Sequence, residues 1–86
     1  MVSRRKLKSW GLTQSDWYVI NALANAPSGM DVESIAMTIG WSPSHTRKAL
    51  KAAERKNLVR SRRIGKPKIY HLTERGRMIL ANLSKS

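Results

Sequence analysis

The 86-residue sequence contains no cysteine. This absence excludes a disulfide framework and a thiolate metal site, and it is typical of proteins in a reducing cytosol. Long hydrophobic runs are also missing, since the longest are the four-residue segments WYVI and MILA, whereas a membrane-spanning helix needs about 20 residues. The basic start SRRKLK is not followed by an apolar segment of the signal-peptide type. We therefore expect a soluble, cytoplasmic protein that does not associate with a membrane.

The residues that carry most enzymatic chemistry are scarce. His45 and His71 are the only histidines, and neither has a neighbouring acid at a metal-ligand spacing. Asp31 and Glu33 are two residues apart at the start of a predicted helix, so they point to different sides and form no carboxylate pair. The five glycines are scattered, which excludes a glycine-rich phosphate loop. The sequence therefore predicts a protein that is not an enzyme and has no catalytic residues, metal ligands or cofactor.

Positive charge is absent from one third of a strongly basic chain. The formal net charge is 17 − 5 = +12, yet residues 11–40 contain no Lys or Arg. Residues 41–86 contain thirteen bases against two acids. Bases kept only for solubility would be scattered, so this polarity predicts a polyanionic partner, of which nucleic acid is the commonest. An anionic membrane surface is the alternative, but it requires a basic amphipathic helix with bulky apolar residues.

Capping residues and apolar periodicity predict three helices in the first two thirds of the chain. The expected N-cap residues are Thr13, Asp31 and Ser42. The expected apolar faces of the first two helices are Trp17, Ile20, Leu23 and Ala24 in one and Val32, Ile35, Ala36 and Ile39 in the other. The helices are expected to end near Ala26, at Gly40 and near Lys56, where Asn57 is a left-handed terminator.

The second and third helices are joined by Gly40-Trp41-Ser42, a spacing typical of the helix-turn-helix motif. We expect Trp41 to pack into the core beneath this turn, with stacking on a base as the alternative. The predicted buried face of the third helix is Thr46, Ala49, Leu50 and Ala53. Its opposite face is Ser44, Lys48, Lys51 and Arg55, flanked by His45 and Arg47. An ordinary solvated face would mix charges, so this purely basic and polar stripe favours insertion into a major groove.

The segments LVRSRRI and KIYHL predict two short strands joined by Gly65-Lys66-Pro67. Strand alternation is expected to place Leu58, Tyr70 and Leu72 toward the core. The bases expected near the tip of this hairpin are Arg62, Arg63, Lys66 and Lys68. Thr73 and Glu74 then begin a short last helix. The basic segment RSRRIGKPK is therefore predicted to be part of a folded hairpin and not a tail.

The stretch MDVESIAMTIGWSPSHTRKALKAAERKNLVRSRR, followed by KIYHLTERGR, resembles the winged helix-turn-helix domains of bacterial and archaeal transcription regulators, the MarR-like and PadR-like kinds especially. Within it, LTERG is similar to the LTxxG segment that follows the wing in those families. The resemblance covers residues 13–84 and implies an α+β, mostly helical fold. That fold has a three-helix core, a two-stranded β-hairpin called the wing, and a C-terminal helix. Residues 1–12 are then expected to form a basic N-terminal arm.

The resemblance also implies that the protein binds double-stranded DNA and regulates transcription. The residues expected on the DNA-binding recognition helix are Ser42, Ser44, His45, Arg47, Lys48, Lys51 and Arg55. The residues expected on the DNA-binding wing, along the backbone or in the minor groove, are Arg60, Arg62, Arg63, Lys66 and Lys68. An arm that orders on DNA would use Arg4, Arg5, Lys6 and Lys8, with a frayed terminus as the alternative.

The segments near the two termini indicate whether the protein forms a dimer and whether it binds an effector. MarR-like regulators usually add long helices for dimerisation with a ligand pocket between them, and this chain has only residues 1–12 before its first predicted helix, so we expect no small-molecule effector. Apolar residues near both ends favour a homodimer through the terminal helices, although a monomer could bury them all: Trp10, Leu12, Met78, Ile79, Leu80 and Leu83.

Two other functions stay open at this point. One is a winged-helix module of plasmid, phage or viral replication or genome-maintenance machinery, and the other is an RNA-binding or protein-docking winged helix. The expected location is accordingly the cytoplasm. The protein would be a prokaryotic one associated with the nucleoid, or one encoded by a phage, plasmid or virus.

Overall fold

The computed structural model of the protein describes residues 4–63 and 68–84, in which five helices and one antiparallel hairpin are present. The elements in chain order are α1 (Arg4–Ser9), α2 (Gln14–Ala24), α3 (Val32–Ile39), α4 (Pro43–Arg55), β1 (Val59–Arg62), β2 (Ile69–Leu72) and α5 (Glu74–Ser84). From α2 onward this is the predicted order, and the mostly helical winged helix-turn-helix class is confirmed. The turn predicted at Gly65-Lys66-Pro67 lies outside the described residues. Across 4–63 and 68–84, no helix is long and apolar enough to cross a membrane.

The N-terminal segment differs from the expected arm, because α1 precedes the first predicted helix. Leu7 is 3% exposed and Leu12 is 5% exposed, and both pack into the core. The backbone N–H of Leu12 donates to the Leu7 carbonyl over 2.9 Å, which turns the chain toward α2. A helix of six residues is too short to show an apolar period in the sequence, so only the packed structure reveals it.

The three predicted helix caps are all present. Thr13 Oγ1 accepts from the backbone N–H of Asp16 over 3.2 Å, and the Asp16 carboxylate accepts from the Thr13 N–H over 2.9 Å, which completes a capping box. Asp31 and Ser42 cap α3 and α4 by accepting from the N–H three residues later, over 3.1 and 3.2 Å. Hydrogen bonds from the Ser34 hydroxyl and then from its backbone N–H hold the pKa of Asp31 below its usual value.

The core is built around α2, against which α1, α3, α4, α5 and β2 pack. Its largest fully buried apolar side chains are Ile20, Ile35, Leu50, Leu58, Ile79, Leu83 and Val19. The buried apolar residues of α2 are Val19, Ile20, Ala22 and Leu23, whereas Trp17 is half-buried and Ala24 is exposed. The predicted face of α2 is therefore too narrow and partly misplaced, because a helix surrounded by several elements buries more than one stripe.

The turn between α3 and α4 has the predicted form. Gly40 adopts a left-handed conformation with φ +87°, and its N–H donates to the Ala36 carbonyl over 2.7 Å. At the other end of α4, Asn57 has φ +60° and ends the helix as predicted. The face of α4 that we expected to be buried is buried, namely Thr46, Ala49, Leu50 and Ala53. These two turns orient α4 with its other face toward solvent.

The two strands pair in register, with Val59 opposite Leu72, Arg60 opposite His71, Ser61 opposite Tyr70, and Arg62 opposite Ile69. Leu58, Tyr70 and Leu72 are buried, as predicted. Alternation accounts for Tyr70 and Leu72 only, because Leu58 precedes β1 and its neighbour Val59 is buried as well. On the outer edge of β2, Met30 forms an antiparallel bridge with Tyr70 through two backbone hydrogen bonds of 3.0 and 2.8 Å. This bridge ties the loop between α2 and α3 to the hairpin.

The segment LTERG joins the start of α5 to the end of α4. Thr73 Oγ1 accepts from the N–H of Gly76 over 3.0 Å and donates to the carbonyl of Asn57. The Thr73 N–H donates to the carbonyl of Leu58 over 3.0 Å. A Cβ on Gly76 would collide with that same carbonyl, so glycine permits the close approach of α5. The wing is thereby fixed at its base relative to the recognition helix.

Candidate nucleic-acid interface

The outward face of α4 is basic and polar. All seven residues predicted for the recognition helix are exposed: Ser42, Ser44, His45, Arg47, Lys48, Lys51 and Arg55. The only acid in α4, Glu54, is half-buried and accepts a hydrogen bond from the Ser61 hydroxyl over 3.4 Å. It therefore turns toward the hairpin and leaves the exposed stripe without a negative charge. A cationic helix face of this kind can enter a major groove.

An aromatic cluster lies at the N-terminal end of α4. The half-buried Trp41 ring meets the His45 imidazole edge-on, with centroids 4.5 Å apart, and it meets Tyr18 of α2 edge-on at 5.8 Å. Trp41 packs against the core, as we expected, and also orients His45 on the exposed start of the helix. Tyr18 is 47% exposed and was missing from the predicted site, because it approaches α4 only when the two helices pack.

Lys56, at the C-terminal end of α4, is paired within the protein. Its Nζ lies 2.5 Å from Oδ2 of Asp16, a carboxylate that is 1% exposed and also accepts the N–H of Thr13. The pair joins the start of α2 to the end of α4 and balances the charge of Lys56. The two residues are 40 positions apart, so no local sequence pattern showed that they pair.

Two of the predicted wing bases lie on one face of the hairpin strands. Ser61 faces α4, because its hydroxyl donates to Glu54. Strand alternation therefore turns the exposed Arg60 and Arg62 to the opposite face. Arg62, which we expected near the tip, is thus the last residue of β1 and shares a face with Arg60.

Two of the bases predicted for the wing lie beyond the strand ends. Arg63 and Lys68 are both exposed, and the Lys68 Nζ lies 5.6 Å from the centroid of the Tyr70 ring. Lys66 lies outside the described residues. Arg63 and Lys68 therefore flank the two strands at the end away from Val59 and Leu72, and Lys68 also lies over the buried Tyr70 ring.

The bases of the expected N-terminal arm lie on or beside α1, which begins at Arg4. Arg5, Lys6 and Lys8 are exposed, while Leu7 between them is buried. These bases are thus carried by a short helix packed on α2 and not by a free arm. Their contact with DNA stays a prediction.

Comparison with known proteins supports the architecture at the level of fold. No protein-family model and no curated protein matches the sequence. Among solved structures, MepR, a transcription regulator of the Staphylococcus aureus multidrug efflux pump MepA, is similar with a TM-score of 0.87 and 20% identity, covering 95% of this chain and 62% of MepR. A MepR mutant bound to an oligodeoxyribonucleotide has the same values. A MarR-family transcriptional regulator from Rhodococcus sp. RHA1 has a TM-score of 0.85 and 22% identity, covering 95% of this chain and 59% of that one.

The chain therefore spans 62% and 59% of the length of these regulators, while nearly all of it takes part in the match. The shared part contains the helix-turn-helix, the hairpin and the helix that follows it. At this level of identity, what is shared is the backbone architecture. The chain has the winged helix-turn-helix fold of the MarR-family transcription regulators.

Proposed function

We propose that the protein binds double-stranded DNA and regulates transcription, with α4 in the major groove and the hairpin on the backbone or in the minor groove. The observation that carries this proposal is the exposed face of α4, on which four Lys and Arg side chains lie without an acid. Such a face supplies attraction to phosphates and donors for base edges. A protein of the same fold, a MepR mutant, has been solved bound to an oligodeoxyribonucleotide. The role requires no enzymatic activity or effector, and it places the protein in the cytoplasm with the DNA.

Selection from a pool of randomised duplexes tests this proposal. We expect a defined motif to be enriched, and the motif should compete for the protein better than single-stranded DNA or structured RNA at the same salt concentration. Preference for RNA, or the absence of any enriched motif, would contradict the proposal. A reporter gene placed behind the enriched motif then separates regulation from a role in replication, since only a regulator changes its expression.

We also propose that the protein acts as a homodimer through its terminal helices. Of the apolar residues near the termini, Leu12, Ile79 and Leu83 are buried in the protomer's own core. Trp10 and Met78 are 40% and 59% exposed, so they are the apolar side chains at the ends that a partner protomer can cover. Two-fold symmetry would then match DNA half-sites about one helical turn apart.

Sedimentation tests the dimer. We expect a species of twice the 9.7 kDa chain at tens of micromolar, and its dissociation when Trp10→Ala and Met78→Ala are combined, because both exposed apolar contacts are lost. Met37→Ala is the matched control, since Met37 is 83% exposed but lies on α3. A single 9.7 kDa species, both free and on DNA, would exclude the dimer.

Lys56, which pairs with Asp16, and Lys51, which is exposed on α4, are expected to contribute to different properties: Lys56 to stability and Lys51 to DNA binding. Lys56→Met leaves the buried Asp16 carboxylate without its cation, so we expect the free energy of unfolding to fall by about 1–3 kcal/mol, with no change in the salt dependence of DNA binding. Lys51→Met removes an exposed phosphate contact, so we expect unchanged stability and a log K versus log salt slope flatter by about 0.9. Urea unfolding and titrations at several salt concentrations measure both. A flatter slope for Lys56→Met would show that Lys56 contacts DNA.

The wing is tested by the double variant Arg63→Ala with Lys68→Ala. If both side chains contact phosphates, we expect weaker binding to specific and random DNA alike and a slope flatter by about 1.8, because fewer counterions are released. If Arg63 instead enters a narrow minor groove, its loss weakens sites with A·T-rich flanks more than others. A slope identical to that of the unmodified protein, together with increased aggregation, would mean that these bases only protect the edge of the hairpin.

A further inference from the structure

The outer face of the hairpin, turned away from α4, collects positive charge. The register places Arg60 directly opposite His71 and Arg62 opposite Ile69 on this face. Directly opposed side chains in an antiparallel pair have Cβ atoms about 4.5–5.5 Å apart, so Arg60 and His71 are neighbours. Gly29 approaches the same face so closely that a Cβ there would lie 2.7 Å from His71 Cε1, which holds the half-buried imidazole in place.

A third arginine reaches this face from another element. Arg77, on the first turn of α5, lines a cleft of about 330 Å³ together with Arg60, Ser61, Arg62 and His71. The cleft lining contains no carboxylate. Within residues 4–63 and 68–84, none of the three arginines forms an ion pair, and all three are exposed. Neither Glu54, which accepts from the Ser61 hydroxyl, nor Glu74, three residues before Arg77 on α5, lines the cleft.

Three guanidinium groups around one cleft repel each other, and an anion between them relieves that repulsion. We propose that this cleft at the base of the wing is an oxyanion site for a phosphate group. Arginine suits this ligand, because its planar fork donates two parallel hydrogen bonds to phosphate oxygens. His71, paired with Arg60 and lining the same cleft, adds a ring nitrogen donor. Hydrogen bonds of Thr73 join the end of β2 to the start of α5, so the backbone segments that carry these side chains are held together before the anion binds.

The phosphate has two possible sources, namely the backbone of bound DNA and free phosphate in solution. With DNA backbone as the source, the proposal rests on the proposed function, whereas binding of free phosphate does not. Only the second arm of the test uses DNA.

The first arm titrates inorganic phosphate into the DNA-free protein at constant ionic strength, with chloride as the balancing anion, and follows backbone amide NMR signals. We expect saturable shifts at residues 60–62, 71 and 77. Arg60→Gln and Arg77→Gln should each raise the phosphate concentration at half-saturation about tenfold, because each removes a charge-assisted pair of hydrogen bonds. Arg75→Gln is the matched control, since Arg75 is exposed on α5 but does not line the cleft, and it should leave the titration unchanged.

The second arm measures the salt dependence of duplex binding for Arg77→Gln and Arg75→Gln. A slope flatter by about 0.9 for Arg77→Gln alone shows that the occupant is a backbone phosphate. Saturable phosphate binding in the first arm with unchanged slopes shows that the occupant is free phosphate. The proposal is overturned if free phosphate gives no saturable shifts and the two variants have the same slope. If the protein binds no DNA at all, the first arm still decides whether the cleft binds free phosphate. The dispersed amide spectrum of each variant confirms that the variant is folded.

Discussion

Arg47→Ala and Lys48→Ala are each expected to lower the affinity for the preferred duplex by about 1–3 kcal/mol, which is the range for a bidentate base contact. Both residues lie near the N-terminal end of the exposed face of α4, the part of a recognition helix that approaches base edges. Each variant should also accept base changes that the unmodified protein rejects. Fluorescence anisotropy with the preferred duplex and with single-base variants of it measures both effects.

The melting temperature separates a contact role from a structural one. Because Arg47 and Lys48 are exposed, we expect the unfolding transition of both variants to stay close to that of the unmodified protein. Arg75→Ala, which removes an exposed arginine from α5, is the control for a general loss of charge. Unaltered DNA binding combined with a large fall in melting temperature would mean that this face of α4 is a packing surface. Equal losses on preferred and random DNA would mean that both residues contact only phosphates.

Gly29→Ala is expected to destabilise the fold more than Gly40→Ala, although the two glycines have nearly the same φ angle. Their φ angles are +89° and +87°, so an alanine at either position is strained by about 1–2 kcal/mol. A Cβ at Gly40 would meet nothing within 4 Å. At Gly29 it would lie 2.5 Å from Ile69 Cγ2 and 2.8 Å from the Tyr70 carbonyl oxygen. Overpacking of this kind adds about 1–3 kcal/mol.

Urea unfolding of the two variants measures this difference. We expect Gly40→Ala to lose about 1–2 kcal/mol and Gly29→Ala to lose about 2–5 kcal/mol, which is a large fraction of the total stability of a small domain. The hydrogen-exchange protection of the Met30 and Tyr70 amides should fall only in Gly29→Ala, since the bridge between them must shift to admit the Cβ. Equal losses in both variants would show that the loop before α3 moves away without cost.

Much of the helical framework was predictable because its determinants are local. The caps at Thr13, Asp31 and Ser42 each act on a backbone N–H three residues later, so they appear as short sequence patterns. The left-handed residues Gly40 and Asn57 likewise mark helix ends in the sequence itself. The separation of α4 into a buried and a basic face follows from the period of one helix, and the structure confirms it.

Other elements were predicted only in part, because their sequence signal is weak or mixed. The helix α1 buries Leu7 among exposed bases, and so short a segment shows no period. The buried surface of α2 includes Val19 and Ala22, which the single predicted stripe omitted, because several elements pack around this helix. Alternation predicted that Tyr70 points inward, but the face of β1 that carries Arg60 and Arg62 became clear only from the contact of Ser61 with α4.

By itself, the sequence determined the order of the elements from α2 onward, the ends of α3 and α4 and the basic face of α4, since these depend on residues within a few positions of each other. Tertiary structure decided which of the charges act within the protein and which face outward. It paired Lys56 with Asp16 across 40 positions, and it brought Arg77 of α5 beside Arg60 and His71 of the hairpin. Such contacts depend on distances between elements that are remote in the chain. No local pattern encodes those distances, because packing of the core sets them.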